Sequence, residues 1–250
     1  MAYSIQRMKI VPKIFNPSTV TAAQSTRMGG VSAAPYDSLN LGKSTNDDPI
    51  QVEENRRLFF GSLNVSHRNI SLSKQVHGNQ ILVVNEPVIT EGYDAMITNK
   101  KHTFLAVSIA DCVPILIHDV KNNAVAAIHA GWRGTVGNIV FKTIEKMNEH
   151  FSTLGENCHA YIGACIGYNK FEVGEEVANE FSGEFKRSGT NGKYFVDLKT
   201  ANAAQLKLAG VQDKNIEISS FCTVENNDMF FSHRKEKGIT GRMMATIGII

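Results

Sequence analysis

Apolar positions along this chain recur with two different spacings. Over 49–63 the spacing is helical: Val52, Phe59 and Leu63 fall on one face, with Arg56 beside them. Asp48 stands at the N-cap, Pro49 suits the first turn, and Gln51 follows three residues after the cap. A helix is therefore predicted over 49–63. Short runs rich in β-branched residues come next, at Ile81–Val84, Ala95–Thr98, Phe104–Ile109, Val113–Ile117 and Ala124–Ile128, and each is predicted to be a strand. The run from Phe104 to Ala110 barely alternates, as expected of a strand covered on both faces. A helix opening at Gly134-Thr135 would place Val136, Val140, Ile144, Met147 and Phe151 in one stripe. Further along, the pattern predicts a strand at 159–163, a helix from Gly174 to Phe181, and a helix capped by Asp197 that ends near 208, before Gly210. Ile216–Ser219 and Met243–Ile250 read as late strands. Strands and helices mix without a strict βαβ rhythm, which predicts an α+β fold with mixed β-sheets in one domain over 1–250.

Composition narrows the class without naming the chemistry. With 250 residues, 42% of them hydrophobic and 20% charged, the chain can bury a substantial core and is neither disordered nor collagen-like. No run approaches the length of a membrane span, and the first ten residues lack the apolar segment of a secretory signal. The expected location is cytoplasmic. A net charge of +2, with both signs spread along the chain, gives no electrostatic case for nucleic acid or a membrane surface as partner. The four cysteines include no Cys-x-x-Cys pair, so neither a redox dithiol nor a zinc ribbon is indicated.

Three segments place a metal-capable side chain beside a turn. They are Lys74-Gln-Val-His77-Gly78, Ala110-Asp-Cys112-Val-Pro114 and Ile128-His129-Ala-Gly-Trp-Arg-Gly134. His77, Cys112 and His129 meet only if three strand ends converge. Two imidazoles and a thiolate suit zinc, and three protein ligands with a free fourth position make a catalytic rather than a structural arrangement. Such an ion lowers the pKa of a coordinated water to about 7 or polarises a substrate oxygen. The alternative is a buried cysteine and two hydrogen-bonded strand-end histidines.

Several arginines are candidate anion ligands. Arg133 lies in a glycine-bordered turn leading into a helix, and a helix start favours anions. Arg27 precedes the glycine pair of Ser25-Thr-Arg-Met-Gly-Gly30. Arg56 either snorkels at the rim of its helix or reaches inward to an anion. Trp132 is a core anchor or a stacking face for a flat base. Asp111 is a candidate proton carrier or hydrogen-bond partner of a ligand histidine.

Taken in order, seven motifs make the chain more than generic. They are Ser25-Thr-Arg-Met-Gly-Gly30, Ser38-Leu-Asn-Leu-Gly42, Gln75-Val-His77, Asp111-Cys-Val-Pro114, His129-Ala-Gly-Trp-Arg-Gly134, Tyr161-Ile-Gly-Ala-Cys-Ile-Gly167 and Thr240-Gly-Arg-Met243. Together they closely resemble the YfiH-like family, known as laccase-domain or polyphenol oxidase proteins and as purine nucleoside phosphorylases. The resemblance covers roughly residues 20–247. It implies a layered α/β/β/α domain with one zinc held by His77, Cys112 and His129. It also implies phosphorolysis of adenosine, inosine or methylthioadenosine, with adenosine deamination as a side activity. The implied partners are a purine nucleoside and phosphate.

Two other chemistries use the same residues. A cysteine hydrolase would have His129 activate Cys112 as nucleophile. A copper-dependent polyphenol oxidase would need several copper ions and many paired imidazoles, whereas this chain has eight histidines and no His-x-His pair. Copper is expected to bind the triad adventitiously, because it outcompetes zinc at such sites. The sequence leaves the oligomeric state open.

Overall fold

The structure, a computed structural model, describes residues 8–250. Two six-stranded mixed sheets stack face to face. The first runs, in spatial order, β1 (Lys9–Ile10), β2 (Val20–Ser25), β15 (Met243–Ile249), β7 (Phe104–Ile109), β3 (Ile70–Lys74) and β5 (Ile89–Glu91). The second runs β14 (Ile216–Ile218), β10 (Cys158–Ile162), β8 (Val113–Asp119), β9 (Ala124–Ala130), β6 (Ala95–Thr98) and β4 (Ile81–Val83). A small third sheet holds β11 (Glu172–Val173), β13 (Tyr194–Val196) and β12 (Lys186–Ser188). The helices are α1 (Pro49–Gly61), α2 (Trp132–Val136), α3 (Ile139–Phe151), α4 (Glu175–Ala178) and α5 (Leu198–Leu208).

Alternation along the central strands separates three apolar layers. Leu105, Val107, Leu116, Val125, Ala127, Ala245 and Ile247 fill the space between the two sheets. On the outer face of the first sheet, Phe104, Ala106 and Met244 pack against Phe59 and Phe60 of α1. On the outer face of the second, Ile115, Ile117, Ala126 and Ile128 pack against α3 and α5. The order is α/β/β/α, and the near-continuous apolar strands follow from burial on both faces. Among the described residues no helix is long and apolar enough to cross a membrane.

Several expected boundaries move. The first helix ends at Gly61 rather than 63, and the helix expected over 174–181 keeps only Glu175–Ala178. The helix expected from Gly134 is two helices broken at Gly137–Asn138, with Asn138 in the left-handed region at φ 57°. Gln205 spans the break: its Nε2 donates to the Thr135 carbonyl at 2.8 Å, and its Oε1 accepts from Val140 N at 3.2 Å. One buried amide thus satisfies backbone groups at both interrupted ends, which a regular helix would have paired internally. The helix capped by Asp197 forms as expected, with the Asp197 carboxylate accepting from Thr200 N at 3.1 Å.

Connections between the two sheets bring the chemically interesting side chains together. The chain passes from the first sheet to the second at β3→β4, at β5→β6 and at β7→β8. These three crossings carry His77, Asp94 and Cys112 respectively.

Candidate active site

His77 lies between β3 and β4 at φ 59°, a left-handed conformation uncommon for a residue with a Cβ. It is exposed. Cys112 sits in the turn between β7 and β8, next to Asp111 at φ 87°. His129 is the penultimate residue of β9 and is 2% exposed. The three expected ligands converge: their donor atoms all lie within 4.8 Å of one another. The two imidazole rings meet edge to face, with centroids 4.9 Å apart and planes at 80°.

Asp94 organises this arrangement. Its carboxylate accepts Val76 N at 3.2 Å, His77 N at 3.0 Å and Gly78 N at 2.8 Å, which fixes the turn that carries His77. The same group lies 2.8 Å from Nδ1 of His129. With Nδ1 engaged, Nε2 of His129 is left to face Cys112 and His77. Burial by itself would raise the Asp94 pKa, but the His129 imidazole and the backbone N–H groups outweigh it and hold the carboxyl below its usual range. Asp111 does not fill this role. Its oxygens accept from Thr223 Oγ1 at 2.6 Å and Arg234 N at 2.7 Å instead.

The electrostatics suit a cation ligand set. Burial would raise the Cys112 thiol, but the neighbouring His129 and His77 hold it down to about 6. Burial would lower His129, yet the Cys112 sulfur and the Asp94 carboxylate bring it up to about 9. Two imidazoles and a low-pKa thiolate, one imidazole oriented by a carboxylate, fit zinc, and three ligands leave one coordination position open. Gly131 lets the backbone pass close beside them, since a Cβ there would stand 3.2 Å from His77 Cδ2 and 3.4 Å from Cys112 Sγ.

The triad opens on a cavity of about 660 Å³. Trp132, Phe171, Arg56, Arg133 and Arg242 also line it. The Arg133 guanidinium stacks on the Trp132 ring at 4.3 Å, and Trp132 also packs against the core of the second sheet. Arg56 reaches inward, 5% exposed, and does not snorkel at a rim. Arg27 departs from expectation. Its guanidinium pairs with Glu236 at 3.0 Å and Asp37 at 3.4 Å, donates to the Asp37 and Asn227 carbonyls, and lies 4.5 Å over the Phe231 ring. Two carboxylates pair with it, and it does not line the cavity on which the triad opens. The helix start expected to bind an anion belongs to α2, a helix of five residues whose N-cap Gly131 faces the triad.

The chain is similar to known proteins in sequence and in fold. A family model described as multi-copper polyphenol oxidoreductase laccase matches residues 21–250. The purine nucleoside phosphorylase YfiH of Escherichia coli is 39% identical over 249 residues, covering 96% of this chain and 98% of that one. A purine nucleoside phosphorylase of Deinococcus radiodurans is 40% identical over 234 residues, covering 92% and 89%. The crystal structure of YlmD from Geobacillus stearothermophilus superposes with a TM-score of 0.90 at 32% identity, covering 95% of this chain and 94% of that one. These matches define a laccase-domain protein. The chain belongs to the YfiH-like family.

Proposed function

We propose that this chain is a zinc-dependent purine nucleoside phosphorylase of the cytoplasm. It would cleave adenosine, inosine or methylthioadenosine with inorganic phosphate to the free base and ribose 1-phosphate or its methylthio counterpart. Adenosine deamination is a side activity in this reading. The carrying observation is that one cavity combines a metal-capable His77–Cys112–His129 triad with Arg56, Arg133 and Arg242, which no carboxylate pairs among the described residues. Relatives covering nearly the whole chain are named for phosphorolysis.

In the reaction a phosphate oxygen forms a bond to the anomeric carbon as the bond from that carbon to the purine nitrogen breaks. The base departs with the electron pair and then takes up a proton. When bound, zinc would supply a Lewis acid on the open side of the triad. Arg133 and Arg56 hold the attacking anion, and a guanidinium suits it because its donors are planar and its charge is permanent. Trp132 and Phe171 flank the flat base. Asp94 keeps His129 in one tautomer and orientation throughout.

The test is product analysis on zinc-loaded protein with and without inorganic phosphate. Ribose 1-phosphate must form only when phosphate is supplied, and its absence would end the proposal. Inosine and ammonia released from adenosine in the same assay report the side activity. One observation favours a second reading, a hydrolase with Cys112 as nucleophile: the paired shifts of Cys112 and His129. Chelation separates the two, because a metal enzyme loses activity and recovers with zinc, whereas a thiol nucleophile is indifferent to chelator. Multicopper oxidation fits poorly, since the described residues bring together a single group of three His, Cys, Asp or Glu ligands.

A further inference from the structure

Two segments take no part in the triad, Ser38-Leu-Asn-Leu-Gly42 and Thr240-Gly-Arg-Met243. The structure joins them. Asn40 Oδ1 accepts from both Gly42 N at 3.0 Å and Arg242 N at 2.8 Å, and Leu41 N donates to the Arg242 carbonyl at 2.9 Å. The Leu41 carbonyl in turn accepts from Arg56 Nε at 2.8 Å. Gly42 lies directly on the Arg242 stem, where a Cβ would stand 2.6 Å from Cγ. Leu41 is thus a bridge from Arg56, in α1, to Arg242, the residue just before β15.

Both arginines line the cavity that holds the triad. Among the described residues neither belongs to an ion pair, although Arg56 is 5% exposed. Glu53, whose charge reaches Arg56, is itself paired with Lys43 at 3.0 Å and His67 at 3.1 Å. Arg242 feels Asp111 and Cys112, but the Asp111 oxygens are taken by Thr223 and Arg234. Backbone carbonyls meet only part of each guanidinium. Arg56 Nε goes to Leu41, while Arg242 Nη1 goes to Thr240 at 2.8 Å and Gly241 at 2.9 Å. The remaining donors have no hydrogen-bond partner among the described residues. Burial disfavours both charges, and arginine does not escape by losing its proton. Two fixed cations face one cavity whose one lining carboxylate, Asp111, is already held by Thr223 and Arg234, and such a pair suits an anion with several acceptor oxygens.

We propose that Arg56 and Arg242, tied through Leu41, form the oxyanion clamp of this cavity and hold inorganic phosphate, with Arg242 as the ligand that replaces Arg27. The identity of the anion rests on the phosphorolysis reading; the clamp itself is tested without turnover. Zinc-loaded wild type, Arg242→Gln, Arg242→Lys and Arg56→Gln are titrated with inorganic phosphate by calorimetry, without nucleoside. Initial rates are then measured against phosphate and against nucleoside. Loss of the charged fork is expected to raise the phosphate Kd and KM at least about tenfold in both glutamine variants. The lysine variant should fall between, and the nucleoside KM should move less than about twofold. Arg242→Gln binding phosphate with wild-type Kd, or no measurable phosphate binding to wild type, overturns the clamp. If buried Arg56→Gln does not fold, Arg242→Lys carries the test, since it keeps the charge and loses only the fork. Wild type that binds phosphate yet releases no ribose 1-phosphate refutes phosphorolysis while leaving the clamp. Normal product formation with an unaltered Kd in Arg242→Gln refutes the clamp alone.

Discussion

Asp94 Oδ1 lies 2.8 Å from His129 Nδ1, and the same carboxylate holds the backbone of His77 through its N–H at 3.0 Å. One buried acid therefore sets the ring of His129 and the main chain of His77. It is 1% exposed, so water cannot substitute for it.

Asp94→Ala is expected to lower zinc affinity by about 10–100-fold, the usual effect of removing the hydrogen-bond partner of a ligand histidine. It should also cost about 3 kcal/mol of stability, because three N–H groups and an imidazole lose their partner. Competition with a chromogenic chelator measures the first and urea unfolding the second. Unchanged zinc affinity would show that Asp94 does not position the site.

In metal-free protein the Cys112 thiol titrates near 6 and His129 near 9, against ordinary values of 9.0 and 6.5. Alkylation by iodoacetamide should therefore be half-maximal near pH 6, and zinc should abolish it. The effect on stability is different. The depressed thiol contributes fully above 9.0 and loses its contribution as pH falls through about 6. The raised imidazole contributes fully below 6.5 and loses its contribution as pH rises through about 9. Between 6.5 and about 9 the two slopes oppose, since the proton has only moved from sulfur to imidazole. Urea midpoints of wild-type metal-free protein across that range should stay nearly level as far as this pair is concerned. An alkylation midpoint above pH 8 would contradict the assigned thiolate.

Gly131→Ala should damage metal binding more than folding. Its φ of −71° admits alanine, but the new methyl would press on His77 Cδ2 at 3.2 Å and Cys112 Sγ at 3.4 Å. A stability loss of about 1–2 kcal/mol is expected, together with reduced zinc content after dialysis, measured by atomic emission. Full zinc occupancy in the variant would argue that the turn is looser than its contacts indicate.

Arg27→Ala tests the reassignment of that arginine. Removing it strands Glu236, which then keeps only its Ser232 N and Thr240 Oγ1 donors. About 2–4 kcal/mol of stability should be lost, read by thermal or urea unfolding. The phosphate Kd should not change, and a large rise in it would restore Arg27 to the anion site.

The pattern of the chain exposed the central strands, the capped α5 and the three side chains that converge at His77, Cys112 and His129, because burial on both faces and side-chain chemistry leave local marks. It hid β2, whose Gln24 and Ser25 are polar yet fully buried. They lie inside because the Gln24 amide pairs with both backbone groups of Ala164, at 2.8 and 2.9 Å, and Ser25 Oγ accepts from Met244 N at 3.0 Å. Those partners are more than a hundred residues away, so no local window shows them. Asp94 was hidden for the same reason: in Gly92-Tyr-Asp94 it looks like an ordinary turn acid, and only the convergence of two crossings reveals its partners. Arg56 and Arg27 also look alike in the sequence. A distant Glu236 separates their fates.

His77 and Cys112 each lie where the polypeptide steps from one sheet to the other, while His129 belongs wholly to the second. A cation gripped by all three would act as a rivet through the seam between the layers. Stripping it should quicken amide hydrogen exchange first along the edges of those two crossings, well before the stacked strands let go.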